Sequence, residues 1–265
     1  MNFKKITKNL IILFFLFTIT LSIIFFATPK DKIHNDNYSE DITIDKIEGL
    51  KGKDLKNEMH SVFLAVQNID KSPNNELQKY VREQEYLKNN KIILTAEKNS
   101  HGDYISSRIE SVFSFKYGDF SFKIKDLKNK GLFSAIWLLP ADGENYPEID
   151  IYEHVGNNNN EVNGVNHYAQ GEKYYFTRVA NDDTYIIDFH WSKDLIAWSI
   201  DGKEVFRSTE MVPNEEMFMI MNLAVGGNWP GNPDKSTKFP SDFEIEVLEF
   251  KPQNISVQKG ILNAN

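Results

Sequence analysis

The chain has 265 residues, a net charge of −8 and no cysteine. No disulfide framework or thiolate metal site is available to it. The acidic balance argues against nucleic acid or an anionic membrane surface as partner, since both want a basic face. The length suffices for one large domain with a substantial core. Aromatic residues make up 13%, with four Trp and eleven Tyr, which suits a β-rich core and could also supply stacking platforms.

In chain order, Lys4, Lys5 and Lys8 precede an apolar run from Leu10 to Ala27. A basic start before an apolar stretch is the pattern of an export segment. The run is long for a signal-peptide core and just reaches the minimum for a membrane span. Phe26-Ala27-Thr28-Pro29 is a poor cleavage site. Residues 1–28 are therefore expected to be a signal peptide or an N-terminal membrane anchor, with both options open. The lysines hold the N-terminus in the cytoplasm and place the remainder outside. The expected location is extracellular, secreted or anchored to the outer face of the cytoplasmic membrane, with membrane contact through this segment only.

Residues 29–59 are rich in Lys, Asp and Asn and read as a polar linker, with Ile42-Thr43-Ile44 as a short strand. The folded domain is expected over residues 60–252, beginning with the run Val62 to Val66, and residues 253–265 read as a polar tail. Lys91 to Ala96 is a strand after a turn at Asn89-Asn90. Two alternating segments, Arg108–Phe115 and Asp119–Ile124, are joined by a turn at Tyr117-Gly118. Phe133 to Leu139 is almost wholly apolar, so it is buried on both faces or has Trp137 breaking out toward a cleft. Trp198-Ser199-Ile200, Asp201-Gly202 and Glu204-Val205-Phe206 form a hairpin signal. The last strand runs from Glu244 to Phe250. Many short strands spaced by turn residues, with almost no helical periodicity, predict an all-β sandwich or jelly roll.

Pro147-Glu148-Ile149-Asp150-Ile151-Tyr152-Glu153-His154 is the stretch with the most chemical content. Ile149 and Ile151 alternate with Glu148 and Asp150, so one face is apolar and the other carries carboxylates. Strict period two would then bring Tyr152, not Glu153, beside Asp150. One extra residue in a β-bulge near Ile151-Tyr152 restores all three acids to one face. The Glu148 and Glu153 backbones would then stand roughly 13 Å apart. Side chains leaning together could close this to about 5–5.5 Å, the separation that retaining glycosidases use. An acidic solvent face or a calcium site would look similar in these residues alone.

Glu148-Ile149-Asp150-Ile151-Tyr152-Glu153 resembles the signature of glycoside hydrolase family 16, in the bulged form of laminarinase-like endo-β-1,3-glucanases. Further blocks resemble the family in the family's order: Asn74-Asn75-Glu76-Leu77-Gln78, Ser107-Arg108-Ile109-Glu110, Phe115 to Gly118, Gly131 to Pro140 and Asn222 to Gly231. The resemblance covers about Asn74 to Phe250. It implies a jelly roll of two curved antiparallel sheets with a concave substrate cleft. It also implies endo-hydrolysis of β-1,3 or mixed β-1,3/1,4 glucan with retention. Glu148 is then the nucleophile, Glu153 the acid/base, and Asp150 the residue between them that tunes both. Asn74, Arg108, Trp137, His167 and Trp229 fall at positions that contact substrate. Trp191 and Trp198 read as core, and His154 as a strand-end residue.

The chain departs from the family in two places. The opening strand is altered over His60 to Pro73, and the final-strand aspartate that serves a structural calcium stands here as Glu246. No cofactor is required for the chemistry, and a structural calcium would need several oxygens in a closed set, of which the family's aspartate is replaced here. The expected partner is a polysaccharide, and the expected state is a monomer. Two other readings share the resemblance: a transglycosylase or hydrolase of another β-linked surface polysaccharide, and a glucan-binding module without activity. The three retained acids favour the enzyme over the module.

Overall fold

The computed structural model describes residues 44–66, 74–125, 127–157, 161–168, 171–178 and 183–257. The expected export segment lies outside them, as do residues 29–43 of the expected linker.

Helices α1 (Ile44–Leu50) and α2 (Met59–Val62) precede β1 (Phe63–Ala65). Then come β2 (Gln78–Tyr80), β3 (Glu85–Lys88), β4 (Lys91–Lys98), β5 (Tyr104–Ser106), β6 (Arg108–Ser111), β7 (Phe113–Ser114) and β8 (Gly118–Lys125). Four consecutive strands follow as an antiparallel meander: β9 (Leu132–Pro140), β10 (Glu148–Val155), β11 (Glu161–Tyr168) and β12 (Gly171–Arg178). The chain closes with β13 (Thr184–Ser192), β14 (Leu195–Ile200), β15 (Lys203–Ser208), β16 (Met217–Val225), β17 (Ser241–Pro252) and β18 (Ser256–Val257).

These strands build a jelly-roll sandwich. One sheet has seven strands in the order β1-β6-β16-β9-β10-β11-β12. The other has nine, in the order β15-β14-β13-β8-β17-β4-β5-β2 with β3 on β4. Pairing is antiparallel except between β2 and β5. In the nine-stranded sheet alternate residues turn inward, as a half-buried strand requires. Phe120, Phe122 and Ile124 on β8 meet Tyr185, Ile187 and Phe189 on β13, all buried. The outward residues form cross-strand pairs such as Lys125–Glu244, at 2.8 Å. Phe115, Phe120, Phe189, Trp198 and Phe250 pack ring against ring between the sheets. Each such ring contributes roughly 1.5–3 kcal/mol by leaving water. Trp191 and Trp198 are core residues, as expected.

The predicted turns form where the turn residues stand. Asp201 and Gly202 both adopt left-handed φ, 49° and 75°, the two-residue hairpin geometry that matches strand twist. Two boundaries need correction. The stretch read as polar linker is part of the domain from Ile44 onward: Ile44 starts a helix rather than ending a strand, and Ile47, Leu55 and Met59 are buried. Leu55 N–H donates to the Phe250 carbonyl at 2.8 Å, and Phe250 N–H donates to Asp54 Oδ1 at 3.2 Å. At the other end residues 253–257 are not a loose tail. Ile255 is buried, Ser256 pairs with Ser114, and Ser256 Oγ donates to Glu216 Oε1 at 2.9 Å.

Candidate active site

β10 is second to the meander's first strand and central enough to be paired on both sides, so its outward side chains are held in register. Glu148 faces His167 on β11, and Asp150 faces Trp137 on β9. Then the register slips by one: Tyr152 pairs with Ile136, and Glu153 with Ala135 and Asn163. Ile151 has no register partner on either neighbour. It is the extra residue of the predicted bulge. Tyr152 consequently turns into the core, where it stacks on Phe243 with centroids 5.5 Å apart, while Glu153 turns outward. His154 turns inward again. It is buried, with Nδ1 3.0 Å from the Glu161 carbonyl oxygen, and is a core residue rather than a strand-end one.

The unpaired bulge residue has a partner across the sandwich. Trp198 Nε1 on β14 donates to the Ile151 carbonyl at 3.2 Å. Trp198→Phe keeps most of the apolar volume but strands that carbonyl, at a cost of about 1–3 kcal/mol. A urea titration should show this as a lower midpoint with an unchanged slope, and an unaltered midpoint would mean that the bond contributes nothing.

Glu148, Asp150 and Glu153 open into one pocket of about 210 Å³, whose wall includes Asn74, Arg108 and Trp137. So three of the expected contact residues come together with the acids. His167 is beside them: its Nε2 lies 2.8 Å from Asp150 Oδ2. Trp229 is more than half exposed and stands against Phe133 of the wall, with ring centroids 5.4 Å apart. It flanks the pocket rather than lining it. Glu76, Gln78, Tyr80, Phe133, Ala135 and Asn222 also line the pocket and were not singled out from sequence. Three of them left a signal. Phe133 and Ala135 share the face of Trp137 at period two, and Asn222 is a lone amide in the apolar run Met217–Val225.

The wall is braced by chain segments remote in sequence. Glu76 bridges to Gly226, and Asn228 N–H donates to the Asn74 carbonyl at 2.9 Å. Gly226 has φ 73°, and a Cβ there would lie 2.7 Å from Leu77 Cγ, so both backbone and space demand glycine. Trp137 Nε1 donates to Asn222 Oδ1 at 2.8 Å, which fixes the indole plane. Asn222 Nδ2 in turn donates to the Tyr80 hydroxyl at 3.3 Å.

Electrostatically the acids are unequal. Burial first, then the charges of Asp150 and Glu148, push the Glu153 carboxyl well above the usual glutamate range. Glu153 therefore keeps its proton to higher pH than an ordinary glutamate, beside two other carboxyl groups, which is the direction that acid-base chemistry on paired carboxylates needs.

Glu148, Asp150 and His167 each offer a ligand atom within 4.8 Å of the others, a spacing that a cation could use. Those same oxygens belong to the acid cluster, and His167 Nε2 is already engaged with Asp150. At Glu246 the surroundings do not fit calcium. Lys123 Nζ lies 3.7 Å from Glu246 Oε2, and Asn90 Nδ2 lies 3.4 Å from Oε1. An ammonium beside the Glu246 carboxylate repels a second cation there.

Several known proteins are similar to this chain. The clotting factor G alpha subunit of Tachypleus tridentatus is 29% identical over 197 residues, which are 66% of this chain and 29% of that protein. Glucan endo-1,3-beta-glucosidase A1 of Niallia circulans is 28% identical over 190 residues, 58% of this chain and 27% of that protein. The chain thus spans under a third of the length of these curated relatives. The laminarinase catalytic domain from Thermotoga maritima superposes with a TM-score of 0.61 at 26% identity, covering 70% of this chain and 90% of that one. The family model described as glycosyl hydrolases family 16 matches residues 73–246. That span takes in the bulged acidic strand and every wall segment of the pocket, and the chain belongs to glycosyl hydrolases family 16.

Proposed function

We propose that the chain is a retaining endo-glycosidase that hydrolyses β-1,3-linked or mixed β-1,3/1,4-linked glucan. The observation that carries this reading is the bulge at Ile151, which aims Glu148, Asp150 and Glu153 into one pocket. In the first step a Glu148 oxygen attacks the anomeric carbon while Glu153 gives its proton to the departing glycosidic oxygen. This leaves a glycosyl ester on Glu148. In the second step the Glu153 carboxylate takes a proton from water, the water oxygen bonds to the anomeric carbon, and Glu148 is released. Asp150 works through its charge and its contact with His167, and so modulates both glutamates without bonding to the sugar. Two inversions at one carbon return the β configuration.

The test incubates the purified chain with laminarin, lichenan, agarose and xyloglucan and measures released reducing ends. Proton NMR within minutes of mixing should show the β-anomer as first product. Failure on laminarin and lichenan, or an α-anomer first, would overturn the proposal. Trp229 is read as an exposed stacking face at the edge of the cleft. Trp229→Ala should weaken binding of a glucan oligosaccharide by roughly 1–3 kcal/mol, on the scale of other exposed stacking aromatics. Unchanged affinity in the folded variant would make Trp229 a loop-packing residue.

The domain's place is read as outside the cell, from the basic-then-apolar start of the sequence. A reporter fused after Asn57 should be accessible to protease added outside intact cells. A soluble cytoplasmic reporter would reject this placement.

A further inference from the structure

Arg108 is the one cation among the described residues lining the pocket, and it shares the wall with Glu76, Glu148, Asp150 and Glu153. It does not act as a bare charge. Its Nε and Nη2 both donate to Glu110 Oε1, at 2.9 and 2.6 Å. Both side chains are about four-fifths buried, so solvent screens the pair little. Glu110 stands two residues further along β6, on the same face, and is not itself part of the pocket wall. The guanidinium lies over the Trp137 ring, 5.3 Å from its centroid. Trp137 is pinned in turn by Asn222, the register partner of Arg108.

We infer that Glu110 fixes the pose of Arg108 and cancels its charge, which restricts the cleft to uncharged glycans. This rests on the reading of the chain as a glycosidase. Arg108 has N–H groups left after the two given to Glu110, and these can serve neutral sugar hydroxyls. A glycan carrying carboxylate or sulfate groups needs a cation not already neutralised, and it would also meet the field of the neighbouring acids. Glu110 is a positioning and specificity residue: it touches Arg108, not the reacting atoms.

The experiment compares a neutral linear β-1,3-glucan with its partly carboxymethylated derivative, by turnover and by affinity electrophoresis. Wild type should prefer the neutral glucan by about tenfold or more at low ionic strength, and added salt should narrow the gap because the repulsion is screened. Glu110→Gln should shrink the preference by about threefold or more, and should raise KM on the neutral glucan more than it lowers kcat. Glu110→Asp keeps the charge and should keep the preference, even if its shorter reach raises KM. Equal handling of the two glucans by wild type would overturn the inference, as would an unchanged ratio in Glu110→Gln. If Glu110→Gln does not fold, the salt dependence of wild type decides alone: a salt-independent ratio rejects the inference. Binding reads the discrimination whether or not turnover occurs. Absence of hydrolysis with intact, charge-selective binding would therefore reject the glycosidase reading and leave the role of Glu110 standing.

Discussion

Glu148→Gln should hydrolyse laminarin on the order of 10⁴-fold or more slowly than wild type, the scale on which an attacking group matters. The amide is close to isosteric but has no charge with which to attack an anomeric carbon. The loss should not come from unfolding. Glu148 shares its pocket with Asp150 and Glu153, so removing one of three neighbouring acids relieves repulsion. The variant's melting temperature should equal or exceed that of wild type at neutral pH. Its charge is also one of the causes that hold the Glu153 carboxyl high, after burial and Asp150. Without it, Glu153 should lose its proton at lower pH. A Glu148→Gln protein that is folded and retains a tenth of wild-type turnover would remove Glu148 from the nucleophile's place.

Much of this site is legible along the sequence because it depends on local rules. A period-two strand that would lose its third acid to the wrong face requires one extra residue, and Ile151 is that residue. The Asp201-Gly202 hairpin follows from which residues accept left-handed φ. What the sequence conceals is set by long-range contact. Glu76 reaches the pocket because its segment bridges to Gly226, some 150 positions away. Asn222 reaches it because β16 lies between β6 and β9. Neither the strand order nor the support that Trp198 gives to the bulge carbonyl has a local signature. The helices at Ile44–Leu50 and Met59–Val62 are too short to show a period. Their polar surroundings hide Ile47, Leu55 and Met59, three apolar residues buried where a linker was expected. The same holds for Ile255 beyond the last long strand.

Glu153→Gln separates acid catalysis from nucleophilic attack. On natural glucan the departing oxygen needs a proton, and loss of the donor should cost about 10²–10⁴-fold. An aryl glycoside with an acidic phenol leaves without help, so its first step should suffer far less, and the glycosyl ester on Glu148 should accumulate. Glu153→Ala opens space for azide, which needs no base and should restore turnover by forming the β-glycosyl azide. The pH dependence provides a second handle. Burial, Asp150 and Glu148 raise the Glu153 carboxyl in the folded chain, so between the unfolded value, about 4.3, and the raised value the folded state binds more protons. Stability from this group is complete below that window and declines as pH rises through it. Wild type should therefore lose stability with rising pH relative to Glu153→Gln, which has nothing to ionise there. Activity on natural glucan should fall over the upper part of the same window, as the donor loses its proton. Azide rescue of a Glu148 variant with none in Glu153→Ala would exchange the roles of the two glutamates. Parallel pH–stability curves for wild type and Glu153→Gln would mean that Glu153 ionises like an ordinary glutamate, and the proton the mechanism needs would have to come from another group.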